Sequence, residues 1–216
     1  MSWMLPFLLS ALAGYVSGAT PFGYFAGKLK GIDIREHGSK NIGATNVVRV
    51  CGKGIGIPVF ILDVLKGWLP AWLVLRWFTS QGASIEMSTI ASIVTGISAV
   101  LGHNYTFWLK GRGGKGIATS TGALLAVAPV AVGIGLVVWY VTLKLTQYVS
   151  VASMVAALAI PITMTVVMLR HGTWNFILLG FGVVLCVLAI VRHKANIERL
   201  MAGTENRVGQ KKKEAA

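Results

Sequence analysis

The stretch IATSTGALLAVAPVAVGIGLVVWYVTLKLT, residues 117–146, is long for one membrane helix and short for two. A helix needs about 20 apolar residues to cross a hydrocarbon core of about 30 Å. How often this stretch crosses decides on which side every later polar loop lies. Around it, uninterrupted apolar runs predict single spans at 4–27, 55–78, 86–107, 148–168 and 173–191. The basic residues resolve the count. Lys28, Lys30, Arg35, Lys40, Arg49 and Lys53 follow the first span, which makes that loop cytoplasmic by the excess of cations on the inner side. Lys110, Arg112 and Lys115 follow the third span on the same side. Arg192, Lys194, Arg199, Arg207 and Lys211, Lys212 and Lys213 follow the last. Returning to the inner side after Lys115 takes an even number of crossings, so 117–146 crosses twice, with Pro129 at the reversal. The expectation is an all-α integral membrane protein of about seven transmembrane helices with its N-terminus outside and its C-terminus in the cytoplasm. Two helices, near 117–128 and 131–145, are short at roughly 18–24 Å and need shielding by neighbours. Only Arg76 and Arg170 of the 20 Lys and Arg then face outward.

Composition agrees with that class. The chain is 55% hydrophobic and 12% charged, where a soluble domain of this size is about a quarter charged. Mean hydropathy is +0.70. A formal charge of +13 suits nucleic acid in principle, but among apolar spans it points to anionic lipid and anionic substrates. Cys51 and Cys186 fit neither disulfide nor metal spacing, and both are expected to be free thiols. The N-terminal apolar run lacks a basic leader and continues into the first span, so no cleavable signal is expected. A single membrane domain over 1–205 precedes a basic, flexible tail over 206–216.

Three polar segments share the cytoplasmic face of this topology. In GIDIREHGSKNIGATNVVR, 31–49, Gly38 and Gly43 let backbone amides converge, Ser39, Asn41, Thr45 and Asn46 offer neutral donors, and Arg35 and Arg49 add charge. A turn that merely caps a helix is the competing reading. In GHNYTFWLKGRGGKGIATSTG, 102–122, Gly111, Gly113, Gly114 and Gly116 surround Lys115 just before a helix, where free amides and a cation suit a phosphate. Thr119, Ser120 and Thr121 would add hydroxyls one turn on. It is not a Walker A loop, because Leu109 stands where that pattern needs glycine and Gly116 replaces its Ser or Thr. A glycine-rich turn with a lipid-facing lysine is the alternative. The third segment is RHKANIERLMAGTE, 192–205.

Other residues weigh less. Asp63 and Lys66, three apart at a span end, are either a site or a simple pair. Ser150 is either a site residue or a helix cap. His171 falls on the outer side, and Trp68, Trp72, Trp77 and Phe78 read as an aromatic belt and helix packing.

The segments GATPFGYFAGKLKGIDIREHGSKNIGATNVVR, LDVLKG, GHNYTFWLKGRGGKGIATSTG and RHKANIERLMAGTE resemble, in order from about 14 to 205, the bacterial acyl-phosphate-dependent glycerol-3-phosphate acyltransferases, the PlsY family. The resemblance implies a seven-span inner-membrane enzyme working on the cytoplasmic face. It would transfer a fatty acyl group from acyl phosphate to the 1-hydroxyl of sn-glycerol 3-phosphate, giving lysophosphatidic acid and phosphate for phospholipid synthesis. It also implies the site residues. Ser39, Lys115 and His193 would be catalytic, and Asn41, Thr45, Asn46, Arg49, His103, Asn104, Ser150, Asn196 and Glu205 would bind substrate. The family commonly carries Gly-Ser-Gly-Asn where this chain has Gly38-Ser39-Lys40-Asn41.

The chemistry fits those residues. An acyl phosphate is already activated, so the protein has mainly to hold two anions and aim a hydroxyl at a carbonyl. No cofactor is expected, no metal, since no carboxylate or His/Cys cluster has ligand spacing, and no nucleic acid; the partners the resemblance implies are acyl phosphate, sn-glycerol 3-phosphate and membrane lipid. Either His193 or a substrate phosphate oxygen takes the hydroxyl proton. The spacing of His193 and Glu198 imitates the His-x4-Asp motif of acyl-CoA-type acyltransferases, but five residues separate side chains by about 140° on a helix. Two other classes were weighed. A transporter of an organic phosphate would need a polar route to an outer side almost devoid of charge. A CDP-alcohol phosphotransferase would need an aspartate cluster, and the chain's aspartates are Asp33 and Asp63 alone.

Overall fold

The computed structural model describes residues 3–209. In chain order the helices are α1 Met4–Ala19, α2 Phe22–Leu29, α3 Ala44–Cys51, α4 Lys53–Ser80, α5 Ile85–Asn104, α6 Ile117–Val127, α7 Pro129–Thr146, α8 Val149–His171, α9 Phe176–Arg192 and α10 Lys194–Met201. Five segments among the described residues are long and apolar enough to cross a membrane: Met4–Leu29, Lys53–Ser80, Ile85–Leu109, Pro129–Thr146 and Val149–His171. The pair α9 and α10, bent by 52°, makes a sixth if counted as one span. The break predicted at Pro129 is present, because the helix ends at Val127 and restarts at Pro129. Of the two helices expected to be short, only α6 is, with 11 residues or about 16 Å. The second begins at Pro129 rather than 131 and runs 18 residues, about 27 Å, since proline is welcome in a first turn.

The chain divides into two compact units, one of residues up to Pro129 with Asn175–Phe181, the other of Val130–Trp174 with Gly182 onward. In the first unit α1, α4, α5 and α6 pack together. Lipid offers no hydrophobic drive between helices, so close packing relies on small residues. A methyl at Gly14 or Gly18 of α1 would collide with the carbonyls of Thr95 and Ala99 on α5. One at Gly67 of α4 or Gly122 of α6 would collide with the carbonyls of Thr119 and Val64. At the far end Phe78 is fully buried, stacked on Trp3 at 5.2 Å with Phe7 edge-on at 5.1 Å. Trp68 and Trp72 stack on each other at 5.6 Å.

The first span is broken where the sequence predicts one run. Pro21 has no N–H, so α1 stops at Ala19 and carbonyls are left without helical donors. Side chains from elsewhere in the unit supply them: the Thr106 hydroxyl, just past α5, donates to the Ala19 carbonyl, and Lys66 Nζ of α4 donates to that of Thr20 at 2.8 Å. Pro70 likewise deprives the Lys66 carbonyl of its donor four residues on, and the Ser17 hydroxyl supplies one at 3.0 Å. Beyond the break, Ala26, Ile34, Ile42, Val47, Val59 and Leu109 form a small apolar core under the first polar loop.

In the second unit Gly135 of α7 lies against Ile160 of α8, Gly182 of α9 against Met164, and Trp139 Nε1 donates to Ser153 at 3.3 Å. Of the flexible tail expected over 206–216, residues 206–209 are described, and two of them are held by contacts. Arg207 Nε donates to the Tyr148 hydroxyl at 2.8 Å and the Val208 N–H to the Gln147 carbonyl at 2.9 Å. Lys211, Lys212 and Lys213 lie outside the described residues.

Gly18→Ala should force α1 and α5 apart and cost about 1–3 kcal/mol. Gly54→Ala, whose added methyl meets nothing within 4 Å, should be neutral or slightly stabilising. Tryptophan-fluorescence thermal unfolding in detergent separates the two, and equal midpoints would refute the close α1–α5 contact.

Candidate active site

In the first unit two polar loops are built by different means. The loop of 31–43 is organised by Asn46, buried in the first turn of α3. Its Nδ2 donates to the carbonyls of Ile34, His37 and Asn41 at 3.3, 3.0 and 2.9 Å, and its Oδ1 accepts the Ser39 N–H at 2.8 Å. The Asn46 amide therefore serves the loop's own backbone. Asn41 Oδ1 accepts the Gly43 N–H at 2.8 Å, closing an Asx turn into α3. Thr45 and Arg49 are exposed, and Ser39 is half-buried. Arg35, expected to offer charge to an anion, is committed elsewhere. Its Nε and Nη2 grip Asp33 at 2.9 and 2.6 Å, its backbone N–H adds 3.0 Å, and its guanidinium lies 4.8 Å over the Tyr24 ring. That grip, with Lys28 nearby, holds the Asp33 carboxyl well below the usual carboxylate range. Lys40 takes a left-handed backbone, φ 59°, at the position where the family commonly has glycine.

The second loop is pinned to the end of α5. The Gly113 and Gly114 N–H groups donate to the carbonyls of Asn104 and His103 at 3.1 and 3.0 Å. A methyl at Gly113 would strike the His103 carbonyl, one at Gly114 the His103 Nε2, and one at Gly116 would come 2.8 Å from Asn104 Oδ1. The glycines thus permit a close approach to the protein's own His103 and Asn104, a role the sequence reading assigned to an anion. Gly116, at φ 80°, turns the chain into α6. His103 and Asn104 are buried and Lys115 is half-buried between those glycines. The hydroxyls expected beyond it are used differently: Thr121 donates back to Ile117 at 2.9 Å, while Thr119 is buried with no hydrogen-bond partner for its Oγ1 among the described residues. The two loops meet at a cleft of about 380 Å³ lined by Asp33, Arg35, Glu36, Lys40, Ile42, Arg112 and Gly113. Ser39, Arg49 and Lys115 are not among its lining residues.

In the second unit Glu205 gathers the predicted residues. Its Oε1 accepts from the Ser150 hydroxyl at 3.0 Å and Asn196 Nδ2 at 2.7 Å, and its Oε2 from Arg199 Nε at 2.7 Å. Ser150 is therefore not the cap of α8. Burial pushes the Glu205 carboxyl up, but the bonds from Asn196, Arg199 and Ser150 outweigh it and hold it below its ordinary value. His193 sits at the bend before α10, buried, with Nδ1 2.7 Å from the Ala189 carbonyl. A carbonyl only accepts, so Nδ1 carries the proton and a neutral ring keeps its lone pair on Nε2.

Arg199 escaped the sequence reading, because nothing in its spacing from Glu205 follows a helical period. Asp63 and Lys66, left open between site and pair, form an ion pair of 2.7 Å, with His103 Nδ1 3.7 Å from the same Asp63 oxygen.

A family model described as glycerol-3-phosphate acyltransferase matches residues 8–203. The glycerol-3-phosphate acyltransferase of Thermosynechococcus vestitus is 45% identical over 206 residues, covering 93% of this chain and 94% of the relative. That of Acholeplasma laidlawii is 39% identical over 220 residues, covering 95% and 94%. Two crystal structures of PlsY (YgiH), an integral membrane glycerol 3-phosphate acyltransferase, share the fold. The glycerol 3-phosphate form gives a TM-score of 0.83 at 36% identity, covering 94% of this chain and 96% of that one. The lysophosphatidic acid form gives 0.81 at 35%, with the same coverage. Fold and relatives together define an integral membrane protein of an acyltransferase class. The chain belongs to the glycerol-3-phosphate acyltransferase family typified by PlsY.

The lowered Glu205 carboxyl stabilises the fold above its unfolded value, near 4.5, and that stabilisation is lost as pH falls through the folded value. Glu205→Gln should lower the thermal midpoint at pH 7 by the equivalent of about 1.5–3 kcal/mol, the worth of a charge-assisted hydrogen bond. The gap to wild type should close on acidification; a gap independent of pH would show that the charge contributes nothing.

Proposed function

We propose that this protein transfers a fatty acyl group from acyl phosphate to the 1-hydroxyl of sn-glycerol 3-phosphate, releasing lysophosphatidic acid and inorganic phosphate. Membership of the family over residues 8–203 carries the acceptor and product, supported by the glycerol 3-phosphate and lysophosphatidic acid forms of the PlsY structures. The donor rests on the loops. They are short, cationic and folded onto their own backbone, which suits a bare phosphate and offers no platform for a nucleotide or a carrier protein.

The hydroxyl oxygen attacks the acyl carbon, the new ester bond forms, and the bond from the acyl carbon to the phosphate oxygen breaks with its electron pair leaving on phosphate. Lys115 meets the charge that grows on that leaving group, which favours the transition state over the ground state. Ser39, Asn41, Thr45, Arg49, His103 and Asn104 hold and orient substrate phosphate, with Asn46 keeping their loop in shape. Ser150 and Asn196 contribute through the Glu205 cluster. The hydroxyl proton passes to a substrate phosphate oxygen, and His193 Nε2, its lone pair set by the Ala189 contact, orients that hydroxyl. The reading puts this chemistry at the cytoplasmic face of a bacterial inner membrane, with seven crossings and the N-terminus outside, and the distribution of cations in the sequence supports it.

Purified protein should release phosphate only when given both palmitoyl phosphate and glycerol 3-phosphate; acyl-CoA in place of palmitoyl phosphate should give nothing. Lys115→Ala should lose about 100- to 1,000-fold in turnover, or ~2.7–4 kcal/mol, while Lys110→Gln keeps most of it. Equal, few-fold losses would make both lysines ordinary membrane-surface charge.

For orientation, with Cys51 and Cys186 replaced by alanine, single cysteines at Gln81 and Thr173 should react with an impermeant thiol reagent on intact cells. Single cysteines at Lys30 and Thr204 should react only after permeabilisation. Labelling at position 204 in intact cells would overturn the seven-span topology.

A further inference from the structure

Asp63 and Lys66 lie one turn apart on α4, with side chains only 2% and 3% exposed, and pair at 2.7 Å. Two buried charges lose hydration that their attraction scarcely recovers, so such a pair is weak evidence of a stabilising role. Ionisable side chains inside a span instead tend to serve function. What these two touch is specific. Lys66 Nζ also donates to the Thr20 carbonyl at 2.8 Å, where the first span is broken, and lies 5.4 Å over the Phe22 ring. Asp63 Oδ1 faces His103 Nδ1 at 3.7 Å. The opposite edge of the His103 ring, at Nε2, lies so close to Gly114 that no side chain would fit there. The His103 carbonyl takes the Gly114 N–H at 3.0 Å. A run of direct contacts therefore leads from the broken first span through Lys66, Asp63 and His103 to the residue next to Lys115.

We infer that Asp63 and Lys66 are positioning residues for acyl transfer, setting the orientation of His103 and through it the seat of the loop that carries Lys115. The inference rests on the function proposed above. At 3.7 Å the Asp63 carboxylate lies just beyond hydrogen-bond length of the His103 ring, close enough for its charge to bias the tilt of that ring. Lys66 pairs with that carboxylate at 2.7 Å and, through the Thr20 carbonyl, ties its position to the α1–α2 turn. An apolar pair of the same volume would fill the space and leave the imidazole free to tilt, carrying the glycine loop with it. Misplacing a catalytic group by about 1 Å costs on the order of 100-fold in rate.

The test is the double variant Asp63→Asn/Lys66→Met, which removes both charges at nearly constant volume. The Thr20 carbonyl keeps the Phe22 N–H at 3.1 Å, so it is not orphaned. The variant should elute as a single species and unfold near the wild-type midpoint. Its kcat for phosphate release should fall about 100-fold while KM for glycerol 3-phosphate stays within about threefold. A folded variant with kcat within about threefold of wild type would overturn the inference, as would a variant that fails to fold, since the pair would then serve stability. Wild type assayed alongside separates the two claims: if it released no phosphate from acyl phosphate and glycerol 3-phosphate, the function itself would fall, and the inference with it.

Discussion

The break of the first span at Pro21 is the constraint on which the arrangement of the first unit turns. Backbone carbonyls inside a membrane need donors from the protein, because lipid supplies none. Pro21 ends α1 and Pro70 takes a donor from within α4, and a carbonyl at each break is met from the other side. Lys66 reaches from α4 to the Thr20 carbonyl, and Ser17 reaches from α1 to the Lys66 carbonyl. The same residue therefore gives to α1 through its side chain and receives from it through its backbone. With Thr106 closing the Ala19 carbonyl, the break in the first span becomes a fixed corner, and α2 leaves it at a defined angle toward the first polar loop.

Each polar segment is held by contacts of its own. Asn46 uses its amide to hold three carbonyls and one N–H of the loop before it. The second loop is tied down by two glycine N–H groups, and the Glu205 carboxylate does the same for Ser150, Asn196 and Arg199 in the second unit. In each case a polar side chain or a glycine is consumed in shaping the loop. The cations left half-buried or exposed beside it, Lys115 and Arg49 among them, carry the charge suited to an anionic substrate. Preorganisation of this kind suits the acyl transfer proposed above.

Much of this was legible in the residues. Composition and apolar length marked the membrane class, and Pro129 marked the helix break between α6 and α7. The three polar segments were recognisable by composition. The internal use of their side chains was not. Arg35 is the donor types' natural candidate for a phosphate, yet Asp33 two residues earlier claims it, a contact that depends on the turn rather than on spacing. Gly113 and Gly114 advertise room for a ligand, and the object they make room for is the end of α5. Pro21 was visible, but inside an apolar run its effect on the helix depended on Lys66 and Thr106, 45 and more positions away in the chain.

Lys40 carries one more consequence. Its backbone sits in the left-handed region, which costs a residue with a Cβ roughly 1–2 kcal/mol relative to glycine, and its side chain lines the cleft shared with Arg112. The chain has exchanged backbone ease for an extra positive charge at that rim. This makes position 40 a filter on sequence drift. Glycine and asparagine can enter it without disturbing the turn, at the loss of the charge, whereas valine, isoleucine or threonine would have to reshape the loop that Asn46 holds. Among sequences descending from this one, cationic and glycine forms should interchange freely at that position, and β-branched residues should be missing from it.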